Sequence, residues 1–227
     1  MPGESILNSP GHRLKSMLLK ALMLKVGLTG SIAVGKSYVL SVLAELGCVT
    51  FDADKIAHSV MEPGREAYEV IVREFGEDVL GADRSIDRRK LGAIVFVDEA
   101  RRMRLNEIVH PRVKEEQDRL LAEAEARDRN GIAIIDAALL IESGGYKRFD
   151  KLIVVYCDRA TQIERLMRRN TITREDAERR IAAQMSSQEK RGYADFEIDT
   201  SGTQADTRKR VVALHSRLRA LALQDHR

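Results

Sequence analysis

Apolar and polar positions along the 227 residues fall into two alternating periods. Short, nearly continuous apolar runs close on a polar or acidic residue: Leu24 to Thr29, Cys48 to Phe51 ahead of Asp52, Gly131 to Asp136, and Lys151 to Tyr156. Phe196-Glu197-Ile198-Asp199 is a shorter one. Such runs predict strands, and the continuous apolar ones at Gly131 to Asp136 and Lys151 to Tyr156 predict parallel strands apolar on both faces. Between them the apolar spacing is helical. Ser37 to Leu46 carries Val39, Leu40, Val42, Leu43 and Leu46; a helix through Ile56, Ala57 and Val60 is broken by Pro63-Gly64; Arg65 to Phe75 is stopped by Gly76. Asp87 is an N-cap for Arg88 to Phe96, and Asp98 opens a long charged helix to about Arg127. His110-Pro111 is expected to interrupt or restart that helix. Thr161 to Arg169 follows, then a helix opened by Thr173 in a capping-box pattern and running through Ile181 to Gln184. The last helix, Thr203 to Leu223, has Val211, Leu214, Leu218 and Leu221 as its core stripe. Strands alternating with helices predict a doubly wound α/β sheet with no second hydrophobic domain. Ligands in such sheets bind outside the carboxyl ends of the strands, where Asp52, Asp54 and Asp136 all fall.

One segment at that edge changes the picture most. Gly30-Ser31-Ile32-Ala33-Val34-Gly35-Lys36-Ser37 fits G-x-x-x-x-G-K-[ST] between a predicted strand and a predicted helix, the context a phosphate-binding loop requires. Backbone N–H groups around Val34 to Ser37, together with the new helix terminus, suit an anion. Gly35 lets the backbone approach phosphates closely, Lys36 reaches the β- and γ-phosphates, and the Ser37 hydroxyl is placed for Mg²⁺. Asp136 is the candidate acid beside that metal.

Composition bounds the class. Hydrophobic residues make up 44% and charged residues 32%, as in globular enzymes, and the net charge is only +3. That excess suits anionic phosphates without calling for nucleic acid, and with 4% aromatics and no Trp, base-stacking platforms are not expected. Cys48 and Cys157 read as small buried thiols of a cytoplasmic protein, and no apolar run is long enough to span a membrane. Residues 1–22 read as a disordered extension, or as the product of an early start with Met17 or Met23 the true one.

A phosphate loop alone says only nucleotide. The shortness of the chain, the lack of an N-K-x-D segment for guanine, and the arginine-rich helix pair around residues 159–180 favour a small-molecule kinase. Arg165 and Arg169 read either as arginines closing over the transferred phosphoryl group or as a solvated helix face. In Asp52-Ala53-Asp54 one acid can take the proton from an attacking hydroxyl and the other can cap the next helix; Asp54 is preferred as the base. A non-catalytic nucleotide-binding regulator and another nucleoside monophosphate kinase-like activity are the competing readings.

Beyond the loop, short motifs occur in an order that resembles the dephospho-coenzyme A kinase family over nearly the whole chain from Leu24. They are Val26-Gly27-Leu28-Thr29-Gly30, Asp52 to Ala57 followed by Pro63-Gly64, and Leu105-Asn106-Glu107-Ile108-Val109-His110-Pro111. Leu139-Leu140-Ile141-Glu142 comes next, then Gln162, Arg165, Arg169, Arg179, Ile181 and Gln184, and finally Ala194-Asp195 and Ile198-Asp199. The resemblance implies ATP-dependent phosphorylation of the ribose 3′-hydroxyl of dephospho-coenzyme A, with Mg²⁺, in the cytoplasm, by a monomer or weak homo-oligomer. It also implies a P-loop kinase core with a five-stranded parallel sheet over residues 23–227, a helical substrate-binding insert at about 62–128 and a lid at about 159–192. It makes Asp54 the base with Arg165 and Arg169 beside Lys36. Gly30 and Ala33 to Tyr38 would face the nucleotide, and Asp52, His110, Leu139 and Glu142 the acceptor. The chain departs from the family at Ala33-Val34-Gly35, where Gly-Ser-Gly is frequent, at Tyr38, at Ala138 and at Thr200, which stands where an Asn is frequent.

Overall fold

The computed structural model describes residues 23–224, so the expectation for residues 1–22 lies outside the described residues. Five strands, β1 (Leu24–Thr29), β2 (Val49–Asp52), β3 (Ile132–Asp136), β4 (Lys151–Tyr156) and β5 (Phe196–Asp199), form one parallel sheet in the order β2-β3-β1-β4-β5. The chain leaves β1 towards one edge and crosses back after β3 to reach β4, so the order reverses around the central strand. The register pairs Asp52 with Asp136 and Leu28 with Asp136, which brings these acids to the end of β1, where the phosphate loop begins.

Helices cover both faces. Over one, α1 (Lys36–Glu45) and the last helix, α9 (Gln204–Gln224), bury Val39, Val42, Leu43, Val211, Leu214 and Leu218 against the sheet residues Val26, Leu28, Ile134 and Ile153. Between β2 and β3 run α2 (Ala53–Ser59), α3 (Glu66–Phe75), α4 (Arg88–Val97) and α5 (Glu99–Arg127). These four enclose an apolar cluster of their own, with Ile56, Val60, Ile71, Phe75, Leu91 and Ile108 at its centre. The cluster is separate from the one under the sheet and was not picked out in the sequence. Each helix gives only a few of these residues, too thinly spread along the chain to stand out as a run. Between β4 and β5 lie α6 (Arg159–Asn170), α7 (Arg174–Ala182) and α8 (Ser187–Arg191).

Two expectations are corrected. Helix α5 runs unbroken through Pro111. An interior proline costs a helix about 3 kcal/mol, whereas burying Ile108 and Val109 just before it returns about 1.5–3 kcal/mol each. Ion pairs of Arg112 with Glu66 and Glu115 and of Arg104 with Glu74 and Glu107 hold the helix on either side. Helix α7 stops at Ala182, because a second cap follows at once: Ser186 and Glu189 form a reciprocal capping box for α8. Gln184 is thereby left in a connection, with its amide free to turn elsewhere. Both cysteines are buried, free thiols pushed up to about 11 by burial, which leaves them as inert packing groups. Among the described residues no helix is long and apolar enough to cross a membrane.

Candidate active site

The loop after β1 is shaped by its glycines and by one residue that is not glycine. A Cβ on Gly30 would sit 2.3 Å from the Val155 carbonyl oxygen, so only glycine permits the close approach of loop and β4. Gly35 has φ +87° and precedes the first residue of α1. It offers no side-chain cap, and the first turn of α1 carries no acid, so its N–H groups are left for an external anion. Ala33 has φ 61°, a left-handed conformation that costs a non-glycine residue about 1 kcal/mol. Val34 is buried in the sheet core and offers the loop only its backbone.

A cavity of about 250 Å³ opens over this loop, its walls including Ala33, Gly35, Lys36, Ser37, Arg165 and Arg169. Both candidate arginines therefore reach the phosphate loop. Arg165, half-buried, donates to Thr200 O at 2.8 Å and to Thr200 Oγ1 at 3.0 Å; Arg169 is exposed and donates to Asn170 Oδ1. A neighbouring cavity of about 310 Å³ shares Gly35 and Arg165 and adds Tyr38, Arg168 and Thr200. The Tyr38 hydroxyl donates to Gln204 O at 3.1 Å, tying α1 to the start of α9. A cleft of about 790 Å³ beside α6 and α8 is larger, but none of the phosphate-loop residues is in its walls. The site is assigned on chemistry, not size.

Lys36 Nζ stands 3.8 Å from Asp136 Oδ1, close enough for attraction and too long for a hydrogen bond. That carboxylate oxygen is buried and has no hydrogen-bond donor. Burial pushes the Asp136 carboxyl above its ordinary range; Lys36 pulls it back, and the nearby Asp52 and Asp54 charges push it further up. Asp52 caps α2, its Oδ1 accepting from the N–H groups of Asp54 at 2.9 Å and Lys55 at 3.1 Å. Asp54, in the first turn of α2, is exposed. Of the two acids weighed in the sequence, Asp52 is the one engaged as the cap.

An acid raised on folding stabilises the fold fully only below its unfolded value and loses that contribution as pH rises through the folded one. Asp136→Asn should therefore be more stable than the parent at neutral pH in urea unfolding, with the gap closing as pH falls towards 3.8, the ordinary carboxyl value. A variant less stable at neutral pH would refute this account of the cluster.

The remaining candidates lie further out. Leu139 is 55% exposed in the loop after β3. Glu142 is engaged by Lys190, a fully buried lysine whose ammonium donates to both Glu142 oxygens, at 2.8 and 2.9 Å, and to Ala138 O at 2.9 Å. Three donors thus meet three acceptors, and the loop carrying Leu139 is pinned to α8. Thr29 Oγ1 also donates to Ala138 O, at 3.2 Å. His110 is exposed midway along α5, outside the walls of these cavities.

Sequence reasoning missed Lys190 as part of this region, and it noted Thr200 only as a departure from the family pattern, without its contact to the phosphate loop. Thr200 is buried, and its hydroxyl lies 2.6 Å from Val34 O, so it braces the phosphate loop. For Lys190 the Ser186–Glu189 capping pattern was the available signal, since it fixes the short helix on which the lysine stands.

The chain is similar to known proteins over most of its length. The family described as CoaE, dephospho-CoA kinase, matches residues 24–206. A dephospho-CoA kinase of Geobacillus kaustophilus is 46% identical over 195 residues, covering 85% of this chain and 96% of its own. A dephospho-CoA kinase domain-containing protein of Danio rerio is 45% identical over 197 residues, covering 86% of each. Among solved structures, TT1252 from Thermus thermophilus superposes with a TM-score of 0.73 at 31% identity, covering 87% of this chain and 98% of that one. The dephospho-CoA kinase of Campylobacter jejuni gives 0.60 at 27%, covering 86% and 96%.

Proposed function

The chain belongs to the dephospho-CoA kinase family, and on that premise we propose that it transfers the γ-phosphoryl group of ATP to the ribose 3′-hydroxyl of dephospho-coenzyme A, giving coenzyme A and ADP in the last step of coenzyme A synthesis. The observation that carries the reading is the meeting of the phosphate loop, Lys36, Arg165 and Arg169 around one cavity in a chain with that family match.

The protein's part is positioning and charge. The uncapped first turn of α1 and the loop N–H groups receive the donor phosphates, and Lys36 sets a fixed positive charge against them. Arg165 and Arg169 close the other side, where charge spreads over the transferred group and water has to be kept out. Asp54 is the base. It is exposed, whereas Asp52 already spends its Oδ1 on the cap, and a carboxylate at that edge can accept the proton of the attacking hydroxyl. The cavity holding Tyr38 and Thr200 continues from the phosphate cavity through Gly35 and Arg165 and takes the base of the nucleotide. To the acceptor we also assign the exposed side chains of Leu139, in the β3 loop, and His110, on α5, with Glu142 acting through the Lys190 pin.

The residues present also fit magnesium. Asp136 Oδ1 is a buried oxygen without a donor, and the Ser37 hydroxyl is exposed in the same region. Among the described residues no three His, Cys, Asp or Glu side chains form a metal cage, in keeping with an ion that takes few protein ligands and completes its shell with water and phosphate. Ser37 and Asp136 would hold it, and when bound it would neutralise charge on the β- and γ-phosphates.

The test is ADP release from ATP and Mg²⁺ with dephospho-coenzyme A, set against adenosine, AMP and pantetheine phosphate. Release with dephospho-coenzyme A alone is expected. Equal release with AMP or adenosine would contradict the acceptor assignment.

A further inference from the structure

Ile32, in the middle of the phosphate loop, has both of its backbone groups taken by side chains from the far end of the chain. Its N–H donates to Gln184 Oε1 at 2.9 Å, and its carbonyl accepts from Gln162 Nε2 at 2.8 Å. The next residue is Ala33, in its left-handed conformation, and beyond it the Val34 carbonyl lies 2.6 Å from Thr200 Oγ1. On the near side the Ser31 hydroxyl donates to Met185 O at 3.0 Å. The strained alanine is thus bracketed by peptide groups held from outside. Gln162, Ser31 and Thr200 are buried and Gln184 half-buried, so the Thr200–Val34 bond is closed off from water and the bonds to Ile32 and from Ser31 are partly so.

We propose that Gln162 and Gln184 are positioning residues for the phosphate donor, gripping the Ile32 peptide from both sides so that the loop keeps the shape that presents its N–H groups to the triphosphate. An unfavourable backbone conformation persists only where its surroundings over-determine it. Glycine at position 33 would adopt the same shape without steric cost, and with alanine there the shape is imposed by the grip. The grip reaches further. Gln162 lies one helical turn before Arg165 on α6, so its bond to Ile32 also fixes the root of the arginine facing the phosphate cavity. Gln184 hangs just beyond the end of α7, free to reach the loop because that helix stops at Ala182. The proposal rests on reading the site as a nucleotide site.

The two glutamines play opposite chemical parts, which gives the test its direction. A carboxylate at position 184 still accepts from the Ile32 N–H. At position 162 it faces the Ile32 carbonyl with lone pairs and no proton to donate. Gln184→Glu and Gln162→Glu add the same charge beside the same peptide, so the difference between them isolates the hydrogen bond. ATP affinity is measured by calorimetry, KM for ATP and for dephospho-coenzyme A by turnover, and folding by thermal melting, with Gln162→Met and Gln184→Met as variants lacking the bond without the charge. Gln162→Glu and both Met variants should lose about tenfold in ATP affinity, the scale of one buried group left unpaired. KM for the acceptor should stay near the parent value, and Gln184→Glu should bind ATP markedly better than Gln162→Glu. Equal ATP affinity in the two Glu variants would overturn the proposal, and that comparison stands even where a Met variant fails to fold. A parent protein that binds ATP but does not phosphorylate dephospho-coenzyme A would overturn the proposed function and leave the grip intact.

Discussion

Lys36→Ala should lower kcat by about a thousandfold while the protein stays folded, the scale of removing a preorganised charge from a phosphoryl-transfer site. The side chain reaches from the first residue of α1 into the phosphate cavity, and its ammonium makes no close hydrogen bond to Asp136 across 3.8 Å. It is therefore held near an acid without being consumed by it. The fold should tolerate the loss, because the 3.8 Å contact with Asp136 is too long for a hydrogen bond and its removal breaks none. The measurement is kcat and KM for both substrates, with circular dichroism as the check on folding. Activity within tenfold of the parent in a folded variant would remove Lys36 from the site.

Asp54→Asn should lower kcat by about a hundredfold or more, the usual contribution of a general base, with little change in ATP affinity. The informative partner is Asp52→Asn. Asn caps helices about as well as Asp, so that variant keeps the bonds to the Asp54 and Lys55 N–H groups and should retain most turnover. Asp52→Ala removes the cap and should cost about 1 kcal/mol of stability. If Asp52→Asn loses more turnover than Asp54→Asn, the roles of the two acids are reversed.

What could be read in the sequence was what depends on local pattern. The strands β3 and β4 are buried on both faces, so their apolar runs mark them within a residue of their observed bounds, while the edge strand β5 shows instead as an alternation of buried Phe196 and Ile198 with exposed Glu197. The phosphate loop is a contiguous motif with its context built in, and Asp52, Asp87, Asp98 and Thr173 cap their helices as their side chains and positions suggested. Pro111 misled because intrinsic propensity there is outweighed by packing, which a local window does not contain. The bonds from Thr200 to Val34, from Gln162 and Gln184 to Ile32 and from Lys190 to Glu142 join residues from 48 to 166 positions apart. No periodicity encodes such pairs; they exist only once the sheet has brought β1, the β3 loop and the end of β5 side by side. The resemblance had marked Gln162 and Gln184 as part of a pattern, and the structure supplies their partners.

The central claim is a transfer to one hydroxyl group. Mass spectrometry of dephospho-coenzyme A after incubation with the protein, ATP and Mg²⁺, followed by phosphorus NMR of the product, tests it most directly. A gain of one phosphoryl group is expected, with a new monoester resonance on the ribose 3′ position, and none with the Lys36→Ala protein. An unchanged acceptor in the presence of a folded protein that binds ATP, or a phosphoryl group at any other position, would contradict it.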